Sequence, residues 1–184
     1  SPRQSVIAGP PDQVDALIAT VDAQGLLARR IEVDVASHHP TIDPILPELR
    51  TALADLAPMT PKIPLISTVG DTNGVAPAFD ADYWATNLRN PVRFSQAVAA
   101  AGANHSTFIE VTPHPLLTHA ITESLQPLGS RGDAQVAGTL YRDNPETITF
   151  HTNLATVRPP AAGTGESIGE TERIVDIPPT PWLH

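Results

Sequence analysis

The stretch "IEVDVASHHPTIDP", Ile31 to Pro44, changes from one periodicity to another around a pair of histidines. Ile31, Val33 and Val35 alternate with Arg30, Glu32 and Asp34, the period-two pattern of a half-buried strand. From Ile42 onward the apolar positions Ile42, Ile45, Leu46, Leu49, Leu53 and Leu56 follow helical spacing instead. Pro44 belongs in the first turn of that helix, and Pro47 delays or bends its start. His38 and His39 therefore fall at the corner between a strand and a helix. Upstream, "SVIAG" predicts a short strand over Ser5–Ala8. Val14, Leu17, Ile18 and Val21 predict a helix between Pro11 and Gly25. Downstream, "KIPLISTV" predicts a third strand. The order β-α-β-α-β predicts a small sandwich with two helices on one side of a sheet.

The pattern changes after Gly70. A helix is expected near Asp80, and another after Pro91 that ends at Gly102. "STFIEVTP" predicts a buried strand, "HPLLTHAITESL" a helix and "AQVAGTL" a further strand. From about Thr156, "TVRPPAAGTGESIGETE" has the composition of a linker, and the final "IVDIPPTPWLH" that of an extended segment that docks on a surface.

Composition narrows the function. The 184 residues suffice for one domain, or a small domain with attachments, and a hydrophobic content of 41% supports a core. Aromatics at 4% make that core aliphatic, and twenty prolines predict many turns and an extended tail. A net charge of −9 argues against nucleic acid, since phosphates are neutralised by Lys and Arg. Cysteine is absent, which excludes disulfides, thiolate metal sites and a Cys nucleophile. No apolar run approaches the roughly 20 residues needed to span a bilayer. No signal pattern opens the chain, so a cytoplasmic protein is expected.

On residues alone the histidine pair has more than one reading. A histidine at a strand end can serve as a general base, because its ordinary pKa is close to working pH. It can equally decorate a solvent-exposed turn. A metal site is not expected: no HExxH spacing occurs, and His114 and His119 stand on different faces of a helix. His114, between two prolines, can hydrogen-bond neighbouring backbone or reach a site, and the structural role is expected. "RGD" at Arg131–Asp133 and the sequon at Asn104–Ser106 carry no weight in this setting.

Four segments, in order, change this balance. "SPRQSVIAG", "VDVASHHP", "YWATNLRNPVRFSQAV" and "FIEVTPHPLLTHAI" together resemble the C-terminal half of the acyltransferase domain of type I polyketide synthases. That domain is related to malonyl-CoA:acyl carrier protein transacylases. The resemblance runs from Ser1 to about Leu140, and the remainder is similar to the post-acyltransferase linker. The wording "TFHTNLATVRPP" resembles mycobacterial lipid synthases, mycocerosic acid synthase among them.

The resemblance implies an α/β (α+β) fold in three parts. Residues 1–70 would form a ferredoxin-like small subdomain, 71–140 the C-terminal elements of a hydrolase-like large subdomain, and 141–184 the linker. It implies His38 as the catalytic histidine, held through one ring nitrogen by a backbone carbonyl, with Asn87 at the matching position. His39 stands where many members carry Ser and is assigned no chemistry. Val35, Ala36 and Ser37 would line the extender pocket. In the family "HAFH" accompanies malonyl units and "YASH" and its relatives methylmalonyl, so "VASH", with Val in place of Tyr, favours a methylmalonyl-type unit over malonyl.

The implied reaction moves an acyl group from a CoA thioester to carrier-protein phosphopantetheine through a serine of a GHSxG motif. No bound cofactor or metal is expected. The expected partners are the acyl carrier protein, the ketosynthase and the N-terminal half of the acyltransferase. The GHSxG motif does not occur in these residues, so the chain alone is expected to be inactive, with apolar surface exposed around Phe108–Val111 and Leu116–Ile121. The alternatives are a malonyl-specific member of the family and a noncatalytic docking module for the carrier protein or ketosynthase.

Overall fold

The structure is a computed structural model that describes residues 1–33, 35–70, 77–126 and 134–157. Helix α1 spans Pro11–Ala23, with Pro11 in the first turn, where a missing N–H costs nothing. It ends at Gly25, whose φ of +72° is the left-handed geometry a helix stop uses. A 3₁₀ turn over Pro40–Ile45 leads into α2, Leu46–Ala52. Pro44 sits inside the 3₁₀ turn and Pro47 in the first turn of α2, so the prolines postpone the α-helix as expected.

Helix α3, Ala81–Arg89, begins where the Asp80 carboxylate accepts a hydrogen bond from the Tyr83 N–H at 2.9 Å. Helix α4 covers Phe94–Gly102. Strands β1, Thr107–Glu110, and β2, Gln135–Gly138, pair in parallel with Thr107 opposite Gln135 and Glu110 opposite Gly138. Between them in sequence lies α5, Thr118–Leu125. Parallel neighbours need a connection of this kind, because a tight hairpin cannot reverse the chain twice. Helix α6, Glu146–Val157, follows β2.

Two packed groups result. In one, Ile42, Leu46 and Ala85 form a buried cluster with Leu49 and Leu88 against it, which joins the 3₁₀ turn and α2 to α3. In the other, α4 packs on α5, and α5 and α6 pack on β2. The mixed helix and strand content with a small parallel sheet fits the α/β expectation.

Some expectations need correction. The three strands expected at Ser5–Ala8, around Ile31–Val35 and over Lys62–Val69 carry no β-ladder among the described residues, so the ferredoxin-like sheet is not formed there. Val6, Ile7, Ile31, Val33 and Ile63 are exposed, so among the described residues the apolar face that would drive pairing is left uncovered. Helix α6 lies at the start of the segment expected to be linker. Its β-branched Thr147, Ile148, Thr149 and Thr152 weaken the local helical signal, and packing on β2 overrides it. The rest of the expected linker and the docking tail lie outside the described residues. Apolar exposure near β1 is present: Val111 is 81% and Leu116 78% exposed, with Ile109 and Leu117 also open. Ile121, by contrast, is buried on α5.

The corner between β1 and α5 depends on Glu110, which is 7% exposed. Its carboxylate accepts the N–H groups of Leu116 and Leu117, both at 2.8 Å, and the Thr112 hydroxyl at 3.2 Å. Burial pushes this carboxyl up. The N–H groups of Leu116 and Leu117, with Thr112 and Thr118, outweigh that and hold it below its ordinary value of 4.5. Opposite Glu110, Gly138 faces Pro115, and a Cβ there would lie 2.8 Å from the proline Cβ.

Two outcomes are expected from this corner. Gly138→Ala loses about 1–3 kcal/mol in urea unfolding, because the proline ring cannot yield to an added methyl. Glu110→Gln loses about 1.5–3 kcal/mol at pH 7, since one carboxylate oxygen becomes an amide facing an N–H. Because the folded-state pKa is depressed, the carboxylate's stabilisation is complete above the ordinary value and is lost as pH falls through the lowered one. The Glu110→Gln deficit, measured as an unfolding midpoint, should therefore shrink as pH falls below the ordinary value and through the lowered one.

Candidate active site

The site grows from the end of α3. Asn90 caps the helix with φ −86° and ψ 157°, the extended geometry that a following proline imposes. Its N–H still closes the helix on the Thr86 carbonyl at 2.8 Å. Pro91 then offers no N–H, and the chain turns away. A helix end of this kind leaves carbonyls that need donors from elsewhere.

His38 supplies two of those donors. Its backbone N–H reaches the Leu88 carbonyl at 2.8 Å, and its ring Nδ1 meets the Asn90 carbonyl at 2.7 Å. A carbonyl can only accept, so Nδ1 carries the proton, and in the neutral ring Nε2 is left with the lone pair. His38 adopts φ +67°, a left-handed conformation that costs a residue with a side chain about 1–3 kcal/mol. The residue itself is exposed.

The expected carbonyl partner, Asn87, is corrected by this geometry. Asn87 lies half-buried in the last turn of α3, and the carbonyl on the ring is that of Asn90, three residues later. The physical reason is the helix end: only after Asn90 turns extended does a carbonyl leave the helix axis for the His38 ring. The position of Pro91 is the sequence signal that could have indicated it.

His39 does something different. Its Nδ1 accepts the Thr41 N–H at 3.2 Å and caps the 3₁₀ turn. Accepting at Nδ1 places the neutral proton on Nε2, the opposite tautomer to His38. Val35 is 67% exposed, while Ala36 and Ser37 are half-buried as they lead into His38.

Ion pairs tie the elements around this turn. Arg89 Nε pairs with Asp43 in the 3₁₀ turn, and Arg50 Nε on α2 meets Asp82 at 2.7 Å near the start of α3. His114 is structural, as expected: its Nδ1 accepts the Arg142 N–H at 3.2 Å, and its ring stands edge-on to Tyr141. Among the described residues no group of His, Asp and Glu is arranged to hold a metal ion, and no helix is long and apolar enough to cross a membrane. A further serine stands between glycines in "GESIG", Gly165–Gly169, in the Pro/Gly-rich stretch outside the described residues. It has Glu166 where GHSxG has His, and it lacks the flanking strand and helix pattern of a nucleophile elbow.

The chain thus holds the turn histidine His38 by two backbone carbonyls at the end of α3. The acyl transferase domain family matches residues 1–160, and the chain belongs to that family. It is 59% identical over all 184 residues to a phenolphthiocerol/phthiocerol polyketide synthase of Mycobacterium tuberculosis (strain CDC 1551 / Oshkosh), and spans 10% of that protein's length. Among solved structures it is similar to the acyltransferase domain of phenolphthiocerol/phthiocerol synthase A from Mycobacterium bovis (BCG). The identity is 46% and the TM-score 0.68, over 73% of this chain and 52% of that one. It is likewise similar to the acyltransferase domain of the polyketide synthase PpsC of Mycobacterium tuberculosis, with 49% identity and a TM-score of 0.68 over 74% and 43%.

Removing the His39 cap should lower stability without touching the His38 contacts. His39→Ala is expected to cost about 0.5–2 kcal/mol in chemical denaturation, and His39→Asn, which keeps an acceptor, only a fraction of that.

Proposed function

We propose that this chain forms the C-terminal part of a polyketide synthase acyltransferase that loads a methylmalonyl-type extender unit onto an acyl carrier protein. Residues 1–70 correspond to the small subdomain, 71–140 to the last elements of the large subdomain and 141–184 to the linker toward the ketosynthase. The observation that carries the reading is the 2.7 Å contact between His38 Nδ1 and the Asn90 carbonyl. It leaves Nε2 as the basic nitrogen of the neutral ring without requiring a carboxylate partner.

The reaction follows from that tautomer. Nε2 takes the proton of the serine hydroxyl as its oxygen attacks the thioester carbonyl of the acyl-CoA. Collapse of the tetrahedral intermediate breaks the C–S bond, and the departing CoA thiolate recovers the proton from Nε2. In the second half the phosphopantetheine thiol gives its proton to Nε2 and attacks the acyl-serine ester. The released serine oxygen takes that proton back. The serine is that of the family's GHSxG motif, outside these residues, and this segment alone has no transfer activity.

Val35, Ala36 and Ser37 carry the extender preference in this reading. Their small side chains leave space for a branched α-carbon, a difference worth about 1–3 kcal/mol per methyl. Exposure of His38 also fits a noncatalytic docking module, but such a module has no use for a left-handed histidine whose ring and backbone are both held. The malonyl-specific alternative differs only in the pocket.

The test is acylation of the complete acyltransferase domain with labelled malonyl- and methylmalonyl-CoA, followed by transfer to the carrier protein. Methylmalonyl-CoA should be used about 10-fold or more better than malonyl-CoA. His38→Ala should slow loading by about 10²–10⁴-fold. Loading at the parent rate by His38→Ala would remove the catalytic assignment, and equal use of the two esters would remove the extender preference.

A further inference from the structure

The ion pair between Arg89 and Asp43 occupies a particular place. Arg89 is the last residue of α3 and stands between Leu88 and Asn90, whose carbonyls hold the backbone and ring of His38. Asp43 lies in the 3₁₀ turn that begins two residues after His38. The pair therefore spans the two chain segments whose relative placement sets the imidazole. Leu88 packs against the buried cluster that includes Ile42. A second pair, Arg50 with Asp82, joins α2 to the opposite end of α3. Asp82 is in the first turn of that helix and Arg89 in its last, so the two pairs load the same helix at different ends.

We infer that Arg89 and Asp43 are positioning residues for the His38 imidazole: their ion pair fixes the end of α3, and with it the Leu88 and Asn90 carbonyls, against the turn that carries His38. The inference rests on the acyl-transfer reading of His38. Partly exposed pairs contribute little to global stability, so the consequence of this one is local. A change in the backbone at residue 89 moves the carbonyls on both sides of it. His38 then loses the acceptor that keeps its proton on Nδ1, and Nε2 ceases to be the uniquely basic nitrogen. Neither side chain touches the reacting atoms in this scheme; both act through His38.

The test uses the complete acyltransferase domain, the unit in which the solved relatives are described. Arg89→Met and Asp43→Asn are compared with Arg50→Met, which breaks the other ion pair across the same helices. Transfer kcat should fall about tenfold in Arg89→Met and Asp43→Asn with little change in KM, as for a loss of orientation. Arg50→Met should stay within about twofold of the parent. Spectra of the domain with ¹⁵N-labelled histidine supply a second readout. Neutral His38 should be the Nδ1–H tautomer in the parent and in Arg50→Met, and a mixture in Arg89→Met. The exchange of charges, Asp43→Arg with Arg89→Asp, should recover part of the loss.

Equal kcat losses in all three single variants would make the pair merely structural and overturn the inference. So would an unchanged Nδ1–H tautomer in Arg89→Met. If Arg89→Met does not fold, the near-isosteric Asp43→Asn carries both readouts. If His38→Ala transfers at the parent rate, the acyl-transfer reading fails, while the tautomer spectra still decide whether the pair positions the ring.

Discussion

The carbonyl-rich end of α3 is the constraint on which the site depends. A helix that stops at a proline lacks that residue's N–H for its last carbonyls, and the extended turn before the proline carries the following N–H groups away from them. Here Leu88 and Asn90 turn theirs toward His38, one to the backbone and one to the ring. Each such hydrogen bond contributes a net of about 0.5–1.5 kcal/mol. Two together are of the same size as the roughly 1–3 kcal/mol cost of a left-handed residue bearing a side chain. The arrangement therefore adds little to stability, and its product is orientation. The buried contacts of Ile42, Leu46 and Ala85, with Leu88 packed against them, supply the energy that keeps the turn against the helix.

Adjacent histidines acquire opposite chemistry from that backbone. Nδ1 of His38 faces an acceptor and must donate, whereas Nδ1 of His39 faces the Thr41 N–H and must accept. Only the first arrangement leaves a basic nitrogen at Nε2, so identity at the side-chain level says nothing about which of the two can act as a base. Glu110 applies the converse rule at the other helix end. There the unsatisfied groups are N–H donors at the start of α5, and a carboxylate meets them. The two groups are matched to the polarity of the helix end each one caps.

Much of the helical part was legible in the sequence, because each helix carries its own punctuation. Pro11 and Gly25 bracket α1, Asp80 caps α3, and Gly102 closes α4. Strands β1 and β2 were legible as compact apolar runs that find each other. Alternation at Ile31–Val35 was equally clear and yet gives no ladder, because a strand is defined by a neighbour and not by its own residues. Helix α6 failed the other way: its β-branched residues argue locally against a helix that packing on β2 sustains. In the site, resemblance pointed to His38, but no side-chain identity encodes which main-chain carbonyl is free. Asn87 and Asn90 are the same residue type one turn apart, and only the geometry imposed by Pro91 distinguishes them.

The residues that contact His38, and the ion pair that stands between them, are contiguous in a way that the exposed apolar surface is not. Leu88, Asn90, Asp43 and Arg89 all fall between His38 and Pro91, within the group built on the Ile42–Leu46–Ala85 cluster. The strongly exposed Val111 and Leu116 belong instead to the β1–α5 corner, around the buried Glu110 carboxylate. Orientation of the His38 ring thus depends on short-range contacts inside one packed group, whereas Val111 and Leu116 lie open in the other. On the proposed acyl-transfer reading this separation has a mechanical meaning. The base can be preorganised by its own neighbourhood, so closing the gap between nucleophile and base becomes a question of how two preformed parts are set against each other, not of how either is folded.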